Sequence, residues 1–135
     1  GGGEAALRTV ILQAGGTAAD RAHLRSEHGA LPLILDRVLF AADVCGAGGA
    51  YVRTASGAAC TPAAIAQLGA AWDPIVADPR FEDAAAGDYR PAAGSAAVDA
   101  GTSDEAPAWD VLGAPRGGDG DGDGVGGWDV GPFER

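Results

Sequence analysis

The chain has 135 residues, which allows one domain and leaves no room for two independent cores. It contains 31 Ala and 23 Gly but only eight aromatic residues, which excludes a thick core of large side chains. The formal charge is −10 and all nine basic residues are Arg. A nucleic-acid partner is therefore not expected, because a phosphate-binding surface needs a basic excess. The longest apolar run, 31–40, is broken by Pro32, Asp36 and Arg37 and is too short for a membrane span.

Short apolar segments in the first 77 residues predict β-strands separated by Gly- and Ala-rich turns. These segments are 9–13, 31–40, 50–53 and 74–77. Ile11 and Ile34 are 23 residues apart, and Ile34 and Val52 are 18 apart. Strands recurring at about 20–25 residues predict the coils of a parallel β-solenoid. The same spacing also suits a β-sandwich.

Two segments carry the signals of short helices. In 17–29, Thr17 is a good N-cap and Gly29 a good residue just after a helix end. In 61–69, Pro62 stands at the first helical position. We therefore predict a short helix or helical turn near each of these segments, as excursions from the coils.

The two cysteines, Cys45 and Cys60, are 15 residues apart in a stretch of small residues. Their spacing is not that of a zinc or redox pair. Closing a loop of this length is worth about 3 kcal/mol in the chain-entropy model. We expect a Cys45–Cys60 disulfide in an oxidising compartment, with two buried free thiols in a cytosolic protein as the alternative.

Acidic residues concentrate at the end of the chain. Residues 99–135 hold nine acids against two arginines, a net charge of −7. Self-repulsion at this density opposes compaction unless cations bind or the segment remains solvated. The C-terminal third is therefore predicted either to collect metal or to be a loose acidic tail.

Alternating Asp and Gly in 119–124 is the strongest site signal. Three carboxylates separated by glycines can turn towards one centre, and hard oxygen ligands suit Ca²⁺. The loop is not a full EF-hand, because its twelfth residue is Val130. A solvated acidic hairpin is the alternative. The predicted ligands are Asp119, Asp121 and Asp123, with Asp129, Glu134 or Asp110 completing the shell.

Several motifs after residue 77 occur in a characteristic order. They are Asp-Pro-Arg-Phe at 78–81, Gly-Asp-Tyr-Arg-Pro at 87–91, Gly-Ser-Ala-Ala-Val-Asp-Ala-Gly at 94–101, Asp-Val-Leu-Gly-Ala-Pro-Arg at 110–116, the Asp-Gly repeat, and Trp-Asp-Val-Gly-Pro-Phe-Glu at 128–134. This order resembles the C-terminal end of secreted bacterial right-handed parallel β-helix proteins of the pectin-lyase-like type. The resemblance is to those that carry a choice-of-anchor Q type domain.

The resemblance implies a mainly β chain that forms the last coils of such a helix. Residues 1–77 would form coils with loop excursions, and 78–135 would form a C-terminal capping segment. Trp128 and Phe133 would pack as the plug that closes the last coil. A secreted or cell-surface location is implied, but no particular chemistry, since β-helices carry many functions.

The leading hypothesis is a non-catalytic, calcium-binding terminal module with a structural or adhesive role, for which cell-surface or extracellular polysaccharide is a candidate partner. One alternative is a fragment of a polysaccharide lyase or glycoside hydrolase. Its paired carboxylates would come from Asp78, Asp83, Asp88 and Asp99. The other alternative is a filament subunit that self-associates through the edges of its coils.

Overall fold

The computed structural model describes residues 5–8, 11–12, 22–25, 33–41, 45, 50–55, 57–67 and 71–135. Within these residues the chain is mainly β, with eleven short strands and a single short α-helix. The strands up to residue 54 are β1 (Ala5–Arg8), β2 (Ile11–Leu12), β3 (Ala22–Arg25), β4 (Leu33–Asp36), β5 (Leu39–Ala41) and β6 (Ala50–Thr54). The later elements are β7 (Gly57–Ala59), α1 (Pro62–Ala66), β8 (Ala71–Trp72), β9 (Ile75–Ala77), β10 (Phe81–Asp83) and β11 (Asp88–Pro91).

The chain makes three successive passes, which begin at β1, β4 and β8. Strands of one pass pair in parallel with strands of the next. Strands β1, β4 and β8 form one sheet, β2, β5 and β9 a second, and β3 and β6 lie in a third. From the first pass to the second the register advances by 28 residues in all three sheets, as in the pair Ile11 and Leu39. From the second pass to the third it advances by 36, as in Leu39 and Ile75. The longer second pass contains β7 and α1.

The repeat length predicted from the sequence is therefore wrong. Ile11, Ile34 and Val52 lie in β2, β4 and β6, which belong to three different sheets. The apolar run 31–40 is also not one strand. It bends at Arg37, whose φ of 48° lies in the left-handed region, and this corner separates β4 from β5. The apolar segments thus lie in different sheets, and one of them spans two, so the spacing between segments does not measure the repeat.

The helix predicted near 17–29 is wrong where the structure describes that segment. Residues Ala22–Arg25 form β3, which pairs in parallel with β6. Pairing with a neighbouring strand overrides the local capping signals, which are weak preferences. The remaining positions of that prediction lie outside the described residues.

The helix predicted near 61–69 is confirmed as α1. The Thr61 hydroxyl accepts the backbone N–H of Ala64 at 3.2 Å, and Pro62 occupies the first turn. Ile65 is fully buried and anchors the helix to the core. An N-cap, a proline start and one apolar anchor are sufficient for this single turn.

The predicted disulfide between Cys45 and Cys60 is confirmed, with the two Cα atoms 5.9 Å apart. The loop it closes contains β6 and β7, which pair antiparallel. Strand β7 thus lies beside β6, on the side away from β3. The bond is compatible with an extracellular location.

Strand β5, the central strand of the sheet formed by β2, β5 and β9, is buried on both faces. On one face Val38 and Phe40 join a cluster that also contains Tyr51, Val52 and Ile65. On the other face Leu39 packs with Ala97 and Val130 of the C-terminal segment, and with Ile11 and Ile75. Since Ile11, Leu39 and Ile75 are register partners, they form one row across three strands. The C-terminal segment thus covers this second face of the sheet at β5.

Candidate metal centre

In the Asp-Gly repeat, aspartate side chains accept the backbone N–H groups that backbone carbonyls accept in a helix or a sheet. The two oxygens of Asp119 accept the backbone N–H groups of Gly122 and Gly124, at 2.7 and 2.9 Å. Asp121 accepts the N–H of Asp123, and Asp123 accepts that of Val125. Such side-chain turns are a known alternative to helix and sheet pairing. The repeat therefore folds as consecutive turns whose shape its own aspartates determine.

Three carboxylates meet where this repeat contacts an earlier loop. Asp99, Asp119 and Asp121 each offer one carboxylate oxygen, and these oxygens lie within 4.8 Å of one another. Asp119 and Asp121 are exposed, whereas Asp99 is partly buried. A group of three acidic oxygens at this separation could hold a metal ion.

Asp99 is the member of the cluster that lies outside the repeat, and its carboxylate hydrogen-bonds to the repeat. Its backbone is left-handed, with φ 53°. One carboxylate oxygen, Oδ2, accepts the N–H groups of Gly120 and Asp121 at 3.0 and 3.2 Å, which brings the repeat against Asp99. The other oxygen, Oδ1, is buried without a hydrogen-bond partner in the described part of the chain. A buried acceptor without a partner is costly.

The sequence-predicted ligands separate into two groups. Asp119 and Asp121 lie in the three-carboxylate cluster, and Asp123, Asp129 and Glu134 are not members of it. The third member, Asp99, was absent from the predicted ligand set. Its position before Ala-Gly at a turn was visible in the sequence, but its contact with a loop about twenty residues later depends on the tertiary fold.

Asp129 instead accepts backbone N–H groups, one of them from the cluster residue Asp99. It is 1% exposed, and its two oxygens accept the N–H groups of Asp99 and Arg135, both at 2.8 Å. Burial raises the pKa of this carboxyl, the bond from Asp99 opposes the rise, and the nearby Glu134 charge adds to it. Asp129 therefore holds Asp99 in place.

Glu134 and Arg116 form a buried ion pair, 3.4 Å apart with both side chains 4% exposed. Glu134 also accepts the backbone N–H groups of Gly117 and Asp129. The Arg116 guanidinium donates to the carbonyls of Asp129 and Gly131. These contacts join the chain terminus to the loop at residues 116 and 117.

Trp128 lies beside this ion pair, with the Arg116 guanidinium 5.9 Å from its ring centroid. A Cβ atom added at Gly117 would come 3.3 Å from the indole nitrogen, so the loop passes close to the ring. Trp128 and Phe133 are both partly buried. The indole thus packs inside the C-terminal segment, on its arginine.

The other aspartates of the segment organise turns. Asp78, Asp83 and Asp88 each accept a backbone N–H two or three residues further on. Burial alone would raise the pKa of Asp110, but N–H groups of Ala114, Glu134 and Leu112 hold it below its usual value. Bonds from the Arg90 side chain lower the pKa of Asp88 to about 2, and Asp88 in turn raises that of Arg90.

No family model matches this chain, and neither the curated proteins nor the solved structures give a significant match. In the part of the chain that the structure describes, no helix has the length and apolar character needed to cross a bilayer. The chemistry of the molecule therefore has to be inferred from its own residues, of which the three-carboxylate cluster is the clearest group.

Proposed function

We propose that this chain is a non-catalytic, calcium-binding module of an extracellular parallel β-helix protein. The observation that carries the proposal is the group of three carboxylates of Asp99, Asp119 and Asp121, each offering an oxygen within 4.8 Å of the others. Carboxylate turned towards carboxylate is repulsive unless a cation lies between them. A divalent ion shared by the three carboxylates would supply the compensating charge.

Calcium is the ion that best suits this ligand chemistry. The cluster offers only carboxylate oxygens, which favours hard cations over zinc or copper. Its two exposed members are on a glycine-rich loop, which can adapt to the irregular shell of six to eight oxygens that Ca²⁺ takes. Magnesium demands a more rigid octahedron and usually retains several waters.

Three sheets that recur in the same order along the chain support the β-helix part of the proposal. The common 28-residue advance from β1, β2 and β3 to β4, β5 and β6 is the relation between two stacked coils. The terminal repeats of such a stack need a capping segment. Here Ala97 and Val130 of the C-terminal segment pack against Leu39 on one face of β5.

Calcium would then link two parts of the C-terminal segment close to where that segment packs on Leu39. Asp99 follows Ala97 by two residues, and its backbone N–H donates to the carboxylate of Asp129, which precedes Val130. The Asp99 end of the cluster is therefore connected to both residues that pack on Leu39. An ion shared by Asp99, Asp119 and Asp121 would join the repeat to this packed region. Binding only in the folded state stabilises the fold, by about 2.7 kcal/mol at a free concentration of 100 Kd.

The test uses two variants of the same repeat. Asp121→Asn and Asp123→Asn each retain a side-chain oxygen that can accept the N–H two residues on, so both preserve the local turn. Only Asp121 belongs to the cluster. Calcium and magnesium titrations by calorimetry, with thermal unfolding in calcium and in chelator, should show calcium affinity weakened about tenfold or more by Asp121→Asn and little changed by Asp123→Asn.

Two outcomes would reject the proposal. One is an unchanged melting temperature for the unmodified chain between chelator and millimolar calcium. The other is equal weakening by the two variants, since that would mean diffuse attraction to a net negative segment instead of a site formed by Asp99, Asp119 and Asp121.

A further inference from the structure

The first pass and the last pass of the chain each leave strands at the edge of a sheet. Strands β1 and β2 lie at one edge of their sheets, and β8 and β9 lie at the opposite edge. In the described part of the chain, no strand pairs with the outer side of any of these four. An unpaired edge presents a row of backbone N–H and C=O groups that another strand can bind. The stack of strands therefore has two open ends.

The outward backbone groups in the sheet of β2, β5 and β9 follow from its hydrogen bonds. The N–H of Ile75 donates to the carbonyl of Val38 at 3.0 Å, so Ile75 faces β5. Residues of a parallel strand face its two neighbours alternately, so Val76 turns its N–H and C=O away from β5. By the same alternation Leu39 bonds to the residues that flank its register partner Ile11, and the groups of Ile11 itself face outwards.

The side chains of the two edge strands belong to apolar rows that stop at the edges. Ile11, Leu39 and Ile75 are register partners in one row. Leu39 has a neighbour on each side and is fully buried, whereas Ile11 and Ile75 are partly buried. The next row repeats this pattern around the fully buried Phe40, with a partly buried aliphatic residue at each edge. A strand added at either edge would extend both rows and remove apolar surface from water.

The last pass keeps the corner geometry of the pass before it. Arg37 has φ 48° and Asp73 has φ 45°, and the step from 37 to 73 equals the 36-residue register advance between these passes. The corner between β8 and β9 therefore bends as the corner between β4 and β5 does. A further pass with this bend would meet β8 and β9 together. The third sheet ends at β7, which is antiparallel to β6, so the available edge at this end is that of β8 and β9.

Charge distinguishes the two open ends and selects how they meet. Strands β1 to β3 contain two bases, Arg8 and Arg25, and no acid. The stretch 71–78 contains two aspartates and no base, and the Asp73 side chain is 80% exposed. Two first passes brought together would place arginine near arginine, whereas a first pass on a last pass places arginine near aspartate. The strong negative charge of 99–135 lies outside both sets of edge strands.

We propose that copies of this chain associate head to tail, with the last pass of one copy pairing in parallel with the first pass of the next. Ile75 takes Ile11 of the second copy as its register partner, which continues the apolar row. In this register the Val76 N–H donates to the outward carbonyl of Ile11 of the second copy. Neither β2 nor β9 contains a proline or a charged residue, the usual protection of an edge.

The contact joins two different surfaces, so it leaves one open end on each copy and can repeat. Repetition gives an open fibre unless the rotation between copies closes a ring. The contact uses no residue of the three-carboxylate cluster and is therefore independent of the proposed calcium binding. Sedimentation velocity of the unmodified chain, from micromolar to millimolar protein, should show a size that rises with concentration, in calcium and in chelator alike.

A double variant, Ile11→Cys with Ile75→Cys, tests the register. Within one copy Leu39 separates the two positions by two strand spacings, about 9.6 Å, which is too far for a disulfide. Between head-to-tail copies the positions lie on adjacent strands, about 4.8 Å apart, within disulfide reach. Mild oxidation should therefore give a ladder of covalent multimers on a non-reducing gel.

Ile11→Cys alone is the matched control, because head-to-tail contacts bring no two introduced thiols together and the chain should stay monomeric on the gel. Covalent dimers of this single variant would mean that first passes pair with each other, and the proposal would be wrong. An unmodified chain that sediments as a monomer at every concentration would overturn it, whatever the variants do. Association without a covalent ladder in the double variant, or association lost in chelator, would assign the contact to another surface and reject it as well.

Discussion

The guanidinium of Arg116 lies 3.4 Å from the carboxylate of Glu134, and both side chains are almost completely buried. Glu134 simultaneously accepts the backbone N–H groups of Gly117 and Asp129. One carboxylate therefore neutralises a buried cation and satisfies two amides from different turns. The contact joins turns of a segment that has few regular strands.

Glu134→Ala should destabilise the protein by about 3–5 kcal/mol, because it leaves the Arg116 charge buried and unpaired. The matched control is Glu82→Ala, whose partner Arg135 is 34% exposed and whose loss should cost about 1 kcal/mol or less. Urea denaturation at neutral pH measures both. Equal midpoints for the two variants would show that burial adds nothing to the Arg116 pair.

Leu39→Ala tests whether packing against β5 holds the C-terminal segment in place. Leu39 is fully buried between its neighbours Ile11 and Ile75 and the segment residues Ala97 and Val130. Removing a side chain of this kind should cost about 2–5 kcal/mol. Leu112→Ala, at a side chain 69% exposed, should change stability by about 0.5 kcal/mol or less.

Amide hydrogen exchange distinguishes local from global loss in the Leu39 variant. If the segment is anchored there, the amides of Val130 and Gly101 should lose protection, since both bond across the segment. Unchanged exchange at these positions in Leu39→Ala would mean that the segment does not depend on the sheet.

Local chemistry was readable from the sequence where neighbours in the chain decide it. Thr61 and Pro62 predict the start of α1, and small residues between Cys45 and Cys60 allow their disulfide. Both features involve residues at most about fifteen positions apart, so they can be predicted without knowledge of distant contacts. The mainly β character follows from the short apolar segments for the same reason.

Features set by distant contacts were not readable in the same way. The segment Ala22–Arg25 becomes a strand only because β6 lies beside it. Asp99 joins Asp119 and Asp121 because Gly120 and Asp121 donate to its carboxylate across the fold. The left-handed corner at Arg37 is equally invisible, since arginine has no special preference for that conformation.

Gly101→Ala should destabilise the segment by about 1–3 kcal/mol through overpacking. A Cβ atom at Gly101 would lie 2.7 Å from the carbonyl oxygens of both Trp128 and Asp129, which are backbone atoms and cannot move alone. Gly118→Ala is the control, because a Cβ there meets its nearest neighbour at 3.9 Å. Thermal unfolding of the pair measures the effect, and equal melting temperatures would contradict the close approach.

Acid titration of Asp88 tests the electrostatics of the β10–β11 hairpin. Asp88 lies 2.9 Å from Arg90 Nε and holds a pKa of about 2, below its ordinary value of 3.8. Because the folded-state pKa is depressed, the stability from this pair is present above pH 3.8 and is lost as the pH falls towards 2. Carbon-detected NMR of the carboxyl group should show a midpoint near 2, and Arg90→Gln should raise it towards 3.8. A midpoint that does not respond to Arg90→Gln would contradict the pairing.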